Sequence, residues 1–159
     1  MHWRIKCFKQ LTTDELYQLL KLRSDIFVVE QECAYGDLDG LDRHVECHHL
    51  MGYGEFMHGA AEPALIAYAR LFAPSVAYAG YSSIGRVLVN PQYRVKGLGH
   101  ELMQCAIKNV FERWPNSSIK IGAQAHLDKF YGRHGFEIVG ERYLEDGIPH
   151  VPMVLQPPR

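Results

Sequence analysis

The stretch Ile84-Gly85-Arg86-Val87-Leu88-Val89, followed after four residues by Arg94-Val95-Lys96-Gly97-Leu98-Gly99, decides how this chain folds. The first six residues read as a buried strand. The second six form a basic, glycine-containing loop. From Leu98 to about Arg113 the pattern is helical, with Leu98, Leu102, Cys105, Ala106 and Val110 on one face and Trp114-Pro115 as a stop. Strand, basic loop and helix N-terminus together make an anion site. Free backbone N–H groups and the positive end of the helix dipole converge there. Gly97 and Gly99 carry no Cβ and let the backbone approach a ligand such as a pyrophosphate. The loop is neither a Walker A, since no Gly-Lys-Ser/Thr ends it, nor a G-x-G-x-x-G.

Working outward, Trp3, Ile5 and Cys7 alternate with charged residues as in a half-buried strand. Thr12 and Glu15 form a capping box for a helix that ends near Val29. Glu30 to Asp42 reads as a structured loop, Val45 to Leu50 as a short strand, and Gly52 to Pro63 as a loop or hairpin end. Strands follow over Ala64–Phe72, Ser82–Val89 and Ile119–Gln124. A short helix covers His126–His134 with Gly135 as its C′ residue, and Phe136–Val139 and Val151–Leu155 close the set. Strands without intervening helices sit in the middle of this order. The fold class is therefore α/β with a mixed sheet, not a doubly wound parallel one.

The chain has 159 residues, 47% of them hydrophobic and 22% charged, as expected of one globular domain spanning 1–159. Its formal net charge of −1 argues against a nucleic-acid binder. No apolar run approaches the ~20 residues that cross a bilayer, and the N-terminus lacks a signal-peptide core, so a cytoplasmic location is expected. Cys7, Cys33, Cys47 and Cys105 form no C-x-x-C pair and read as free, buried thiols, with Cys105 on the inward stripe of its helix.

The element order with R-x-x-G-x-G after the fourth strand resembles the GNAT N-acetyltransferase superfamily. Ala123-Gln124-Ala125-His126, Phe130-Tyr131 and Gly135-Phe136 resemble that family's later motif. Phe27-Val28-Val29-Glu30-Gln31, Tyr35-Gly36-Asp37-Leu38-Asp39-Gly40, Arg43-His44, Ala67-Tyr68-Ala69-Arg70 and Glu145-Asp146-Gly147-Ile148-Pro149-His150 are similar to the ElaA-like subgroup. The segment Cys47–Pro63 is longer than that subgroup suggests and reads as an extended hairpin. The resemblance implies a mostly antiparallel central sheet flanked by helices, with an acyl-CoA cleft between splayed central strands. It implies that Arg94, Val95, Lys96, Gly97, Leu98, Gly99 and His100 bind the pyrophosphate of acetyl-CoA. It also implies that the backbone of Val87, Leu88 and Val89 meets acetyl and pantetheine groups, the valine side chains going to the core.

Acetyl transfer to an amine needs a base, because a lysine-type amine has a pKa of roughly 10.4, and an acid for a thiolate that resembles a cysteine of pKa about 8.5. Tyr131 is the acid candidate, the alternative being an ordinary packed aromatic. For the base, His126 is a candidate beside a structural role. Glu30, Gln124 and His150 are placed with the acceptor, and Glu30 and His150 could also serve as base or, for His150, fix a turn. The expected partners are acetyl-CoA and an amine acceptor, without nucleic acid, membrane or metal. Monomer and homodimer stay open. His44, Cys47, His48 and His49 suggest zinc, but one short strand over Arg43–Leu50 cannot wrap four ligands around an ion. Asp37-Leu38-Asp39-Gly40-Leu41-Asp42 lacks the glycine and closing glutamate of a calcium loop. It reads as an acidic turn that could favour a cationic amine. The functional expectation is direct transfer in a ternary complex. The alternatives are a non-catalytic acyl-CoA-binding module, a longer acyl donor and a hydroxyl acceptor.

Overall fold

The computed structural model describes residues 1–55, 62–94 and 97–159. Its contacts divide into two units, Met1–Arg70 with Arg86–Met103 and Leu71–Gly85 with Gln104–Arg159. In the first unit, β1 (His2–Cys7) pairs antiparallel with β2 (Cys47–Tyr53), from His2 opposite Tyr53 to Cys7 opposite His48. Helix α1 (Thr13–Arg23) starts as its sequence demands. Thr12 Oγ1 accepts from the Glu15 N–H at 3.1 Å and Glu15 Oε2 accepts from the Thr12 N–H at 2.9 Å. Leu19, Leu22 and Ile26 then pack with Met51, Tyr53, Leu65, Tyr68 and Leu88 to form this unit's core.

The first helix differs from its expected form. After Arg23 the coil widens into a seven-residue π segment, Ser24–Glu30, closed by the Gln31 N–H donating to the Ile26 carbonyl at 3.1 Å. Such segments are rare and gather at functional sites. Two residues beyond it, Glu32 is in a left-handed conformation, φ 49°. The strand expected over Val45–Leu50 starts two residues later and runs on to Tyr53. Leu41–Arg43 forms a 3₁₀ turn instead, so Arg43–Leu50 is not one strand. Residues 56–61 of the expected hairpin lie outside the described residues. Beyond them the Gly54 N–H reaches the Ala64 carbonyl at 3.0 Å.

β3 (Leu65–Phe72) is buried at every position, and β4 (Ser82–Val89) and α2 (Leu98–Arg113) have the limits read from sequence. In the second unit, β5 (Ile119–Gln124) runs parallel to β4 and antiparallel to β8 (Ile148–Leu155). A parallel step needs a crossover connection, and α2 lies between β4 and β5 in the chain. The expected short helix is a 3₁₀ turn, Ala125–Leu127, followed by α3 (Asp128–Gly132). β6 (Glu137–Ile138) pairs with β8. Strand β7 (Tyr143–Glu145) is an addition to the expected order. It pairs with β8 across Asp146-Gly147, whose φ values of 50° and 75° make a tight hairpin turn. The eight strands are hydrogen-bonded in the order β1-β2-β3-β4-β5-β8-β6, with β7 on β8. The result is a mixed α/β sheet flanked by helices, in which β4 and β5 are parallel neighbours.

Among the described residues there is no disulfide, and of the four cysteines only Cys47 is buried; Cys7, Cys33 and Cys105 are half-buried. Cys105 sits at the margin of the α2 stripe, where its carbonyl accepts from Asn109 Nδ2 at 2.8 Å. Among the described residues, no helix is long and apolar enough to cross a membrane.

Candidate active site

Among the described residues the β4–β5 ladder pairs Ser82 with Ile119 and Ser83 with Lys120 and extends no further, although β4 runs on to Val89. Three residues after Ser83, Arg86 has φ 50°. A left-handed non-glycine residue costs about 1–3 kcal/mol and persists only where its surroundings hold it. The kink sets the facing of the next three residues. Leu88 enters the core at 4% exposure, and Val87 and Val89 stay half-buried rather than joining the core as expected.

Beyond β4, Asn90 caps a short turn over Pro91–Tyr93. The exposed Arg94 donates from Nη2 to Glu30 Oε1 at 2.8 Å and from Nε to the Val89 carbonyl at 3.3 Å. Glu30, placed with the acceptor on sequence grounds, thus meets the first residue of the glycine loop. Val95 and Lys96 lie outside the described residues. Gly97 has φ 90° and open space where a Cβ would stand, and its carbonyl accepts from the Glu101 N–H at 3.0 Å. Only glycine adopts that backbone without strain. Leu98 is buried, Gly99 and His100 are half-buried, and the α2 amides begin there. The first turn of α2 follows directly on Gly97, with the positive end of the helix dipole at that end.

The acidic turn has a different character from the expected one. Its carboxylates are matched by three arginines that lie far from it in sequence. Arg23, fully buried at the end of α1, donates to Asp37 Oδ2 at 2.9 Å and to Asp42 Oδ1 at 2.6 Å. Arg70 on β3 grips both Asp39 oxygens, at 2.9 and 2.7 Å, and Asp42 Oδ1 at 3.0 Å. Arg86 donates to Asp37 Oδ1 at 2.7 Å and to the Asp37 carbonyl at 3.0 Å. The turn's charge is compensated internally, so it offers no uncompensated field to a cationic amine. Burial pushes the Asp39 carboxyl up, but hydrogen bonds from Arg70 and the Leu41 N–H, with the charges of Arg70 and Arg86, outweigh it and bring the pKa to about 2. The stability it contributes is present above the ordinary carboxylate pKa of about 4 and is lost as pH falls toward 2. An acid titration monitored by circular dichroism should show cooperativity falling in that window, and an Asp39→Asn variant should lose that component.

His49 completes this layer. Its Nε2 lies 3.0 Å from the Asp42 carbonyl, which can only accept, so Nε2 carries the proton and Nδ1 accepts from the Tyr68 hydroxyl at 2.6 Å. Burial lowers its pKa and favours that neutral form. Cys47 and His49 share a face, as expected, but in service of the core. Among the described residues no group of three or more His, Cys, Asp or Glu side chains could hold a metal ion.

In the second unit, Tyr131 on α3 is buried between the edges of Phe130 and Phe136. Burial pushes its hydroxyl up to about 12. His126, in the 3₁₀ turn after β5, is exposed. Gln124 stands opposite His150 in the β5–β8 register. His150 is buried, stacks on Tyr143 with centroids 5.8 Å apart, donates from Nδ1 to the Ile148 carbonyl at 2.7 Å, and turns Nε2 toward Glu145 at 3.4 Å. A Cβ on Gly122 would collide with the Tyr143 hydroxyl, so this glycine permits that close approach.

Residues 49–157 match the acetyltransferase (GNAT) domain model. The chain belongs to the GNAT acetyltransferase family. As a GNAT protein it is 37% identical over 159 residues to Protein ElaA of Escherichia coli, covering 96% of this chain and 95% of that one. The crystal structure of Escherichia coli ElaA matches with a TM-score of 0.87 at 36% identity over 98% of this chain and 100% of that one. An acyl-CoA N-acyltransferase from Pseudomonas aeruginosa matches with a TM-score of 0.86 at 43% identity, over 98% of this chain and 99% of that one. An aminoglycoside 6'-N-acetyltransferase complexed with coenzyme A shares the fold, with a TM-score of 0.68 at 16% identity over 98% of each chain. This GNAT chain is thus an acyl-CoA-dependent N-acyltransferase of the ElaA-like group.

The motifs point to the glycine loop and to Tyr131, but not to Arg23, Arg70 and Arg86. The available signal was the placement of Arg70 and Arg86 inside otherwise apolar strand runs, because a charge in such a run requires a buried counter-charge, and Asp37, Asp39 and Asp42 were at hand.

Proposed function

We propose that this chain, acting as one domain over residues 1–159, transfers the acetyl group of acetyl-CoA directly to an amine bound with it in a ternary complex. The observation that carries this reading is the succession of kinked β4 and the Gly97–α2 cradle. In this reading the backbone of Val87, Leu88 and Val89 meets the acetyl-pantetheine arm, and the loop from Arg94 to His100 meets the pyrophosphate. The coenzyme A complex of the aminoglycoside acetyltransferase that shares the fold supports the choice of ligand.

In this reading the amine nitrogen attacks the thioester carbonyl carbon, the C–N bond forms, and the C–S bond breaks. Backbone N–H groups of β4 stabilise the developing oxyanion. The proton leaving the amine passes through water to His126, which is exposed, and Tyr131 donates to the departing thiolate. Glu30, Gln124 and His150 bound the acceptor. His150 commits Nδ1 to a backbone carbonyl, which fixes the orientation of its ring.

Gly99→Val places a branched side chain at the phosphate cradle and is expected to abolish coenzyme A binding in a folded protein. Calorimetry with unchanged affinity would remove the cradle from this reading. Direct transfer requires both substrates bound together, so initial-rate plots are expected to intersect. Burial raises the Cys47 thiol to about 12, which leaves it protonated and unreactive at neutral pH. A stoichiometric acetyl adduct on Cys7, Cys33, Cys47 or Cys105 after mixing with acetyl-CoA alone, discharged at the turnover rate, would replace this scheme with a ping-pong one.

A further inference from the structure

Among the described residues, Arg86 is the one position inside a strand with a positive φ, 50°. Nothing in an arginine favours that conformation, and a glycine would adopt it freely. Something must therefore hold it, and the holding groups are identifiable. Asp37 takes Arg86 Nε at 2.7 Å on Oδ1 and Nη2 at 3.0 Å on its main-chain carbonyl. The Tyr35 ring lies under the guanidinium, 5.6 Å from centroid to Cζ, and the Tyr35 hydroxyl donates to the same Asp37 Oδ1 at 2.7 Å. Asp39 Oδ2 stands 3.5 Å from Arg86 Nη2. Asp37 is itself immobilised, since its other oxygen receives Arg23 Nε at 2.9 Å from the end of α1 and its side chain is 3% exposed.

We propose that Asp37 is a positioning residue for acyl transfer: by gripping Arg86 it maintains the left-handed kink in β4 and so aims the backbone N–H groups of Val87 and Val89 at the thioester. This rests on the acyl-transfer reading above. Leu88, anchored in the core, fixes the strand on one side, and the kink at Arg86 decides where the alternate residues face on the other. Asp37 touches neither substrate nor reacting atoms in this scheme.

The test compares Arg86→Ala with Arg86→Gly, alongside Asp37→Asn. Alanine loses the grip and resists the left-handed backbone, whereas glycine loses the grip and accepts it. With acetyl-CoA and an amine that the wild type acetylates in a thiol-release panel, kcat of Arg86→Gly is expected to exceed that of Arg86→Ala by about tenfold. Calorimetric affinity for coenzyme A should stay within about threefold in both, because the pyrophosphate loop is untouched. Asp37→Asn should fall with the alanine variant, and Arg86→Gly added to it should restore kcat. A merely stabilising ion pair predicts that the two folded variants differ in stability but not in kcat, since glycine accepts the positive φ and alanine does not. Equal kcat in the two folded Arg86 variants overturns the proposal. Amide ¹H–¹⁵N spectra give a readout independent of turnover. The Val87 and Val89 resonances should move in Arg86→Ala and Asp37→Asn but return toward wild type in Arg86→Gly. If they stay in place in Arg86→Ala, the grip is not what holds the kink, even should the wild type acetylate no amine. A wild type that binds no coenzyme A in the same calorimetry would instead refute the acyl-transfer reading.

Discussion

Tyr131→Phe is expected to lower kcat by about 10²–10⁴-fold while leaving acetyl-CoA affinity nearly unchanged. The ring, wedged against Phe130 and Phe136, stays in place, and only the hydroxyl is lost. The size of the effect reflects what that hydroxyl faces in the proposed reaction. A free thiolate leaves poorly from a buried site, and a preorganised O–H donor stabilises the charge as it develops. Burial holds the phenol at about 12, so it remains protonated across the working range. Full transfer of its proton to a thiolate of pKa about 8.5 is uphill, so its contribution is a strong hydrogen bond as the C–S bond lengthens. The deficit of the variant should therefore be the same near pH 7 and near pH 9. Steady-state kinetics at both values checks this. A loss under threefold would make Tyr131 a packing residue, and a loss that changes with pH in that interval would mean that its hydroxyl titrates there.

The second large effect concerns stability. Arg23→Met is expected to cost about 3–5 kcal/mol, because it leaves the buried Asp37 and Asp42 carboxylates short of a partner. For a chain of this size that is a fall of roughly 10 °C in Tm. Thermal denaturation provides the measurement, and Lys21→Ala the internal control. The Lys21–Asp25 pair is 2.6 Å long, yet its side chains are 63% and 52% exposed. Its removal should leave Tm nearly unchanged. Similar losses in the two variants would mean that burial does not govern these ion pairs.

The contrast between the two regions explains what can be read from sequence. β4, α2 and β5 have the expected limits because each carries a single periodicity that ends in a strong punctuation, such as Trp114-Pro115 after α2. The capping box at Thr12 and Glu15 is a local signal and is equally legible. The π segment is not, since its composition suits an α-helix and its widening depends on backbone bonds such as Gln31 to Ile26. β7 escapes because Asp146-Gly147 invites a reading as pocket chemistry beside His150, although an Asp-Gly pair is first of all a hairpin turn. The acidic turn invites a reading by charge alone. Its partners lie 14 to 49 residues away in sequence, at Arg23, Arg70 and Arg86, a separation that only the folded chain bridges. In the candidate site, the cradle and Tyr131 obey spacing rules, whereas the Arg86 kink is a backbone state that no residue letter announces.

The π segment leaves this family member with a natural place to gain or lose length. A π turn is an α turn with one surplus residue wound into it. Deleting a single residue between Ser24 and Glu30 would let α1 continue with ordinary winding and swing everything beyond it by about 100° around the helix axis. Glu30 would then leave Arg94, with α1 and its capping box undisturbed. A one-residue length change there is thus a discrete dial, through which a lineage could reset what stands over the mouth of the glycine loop without redesigning the sheet beneath.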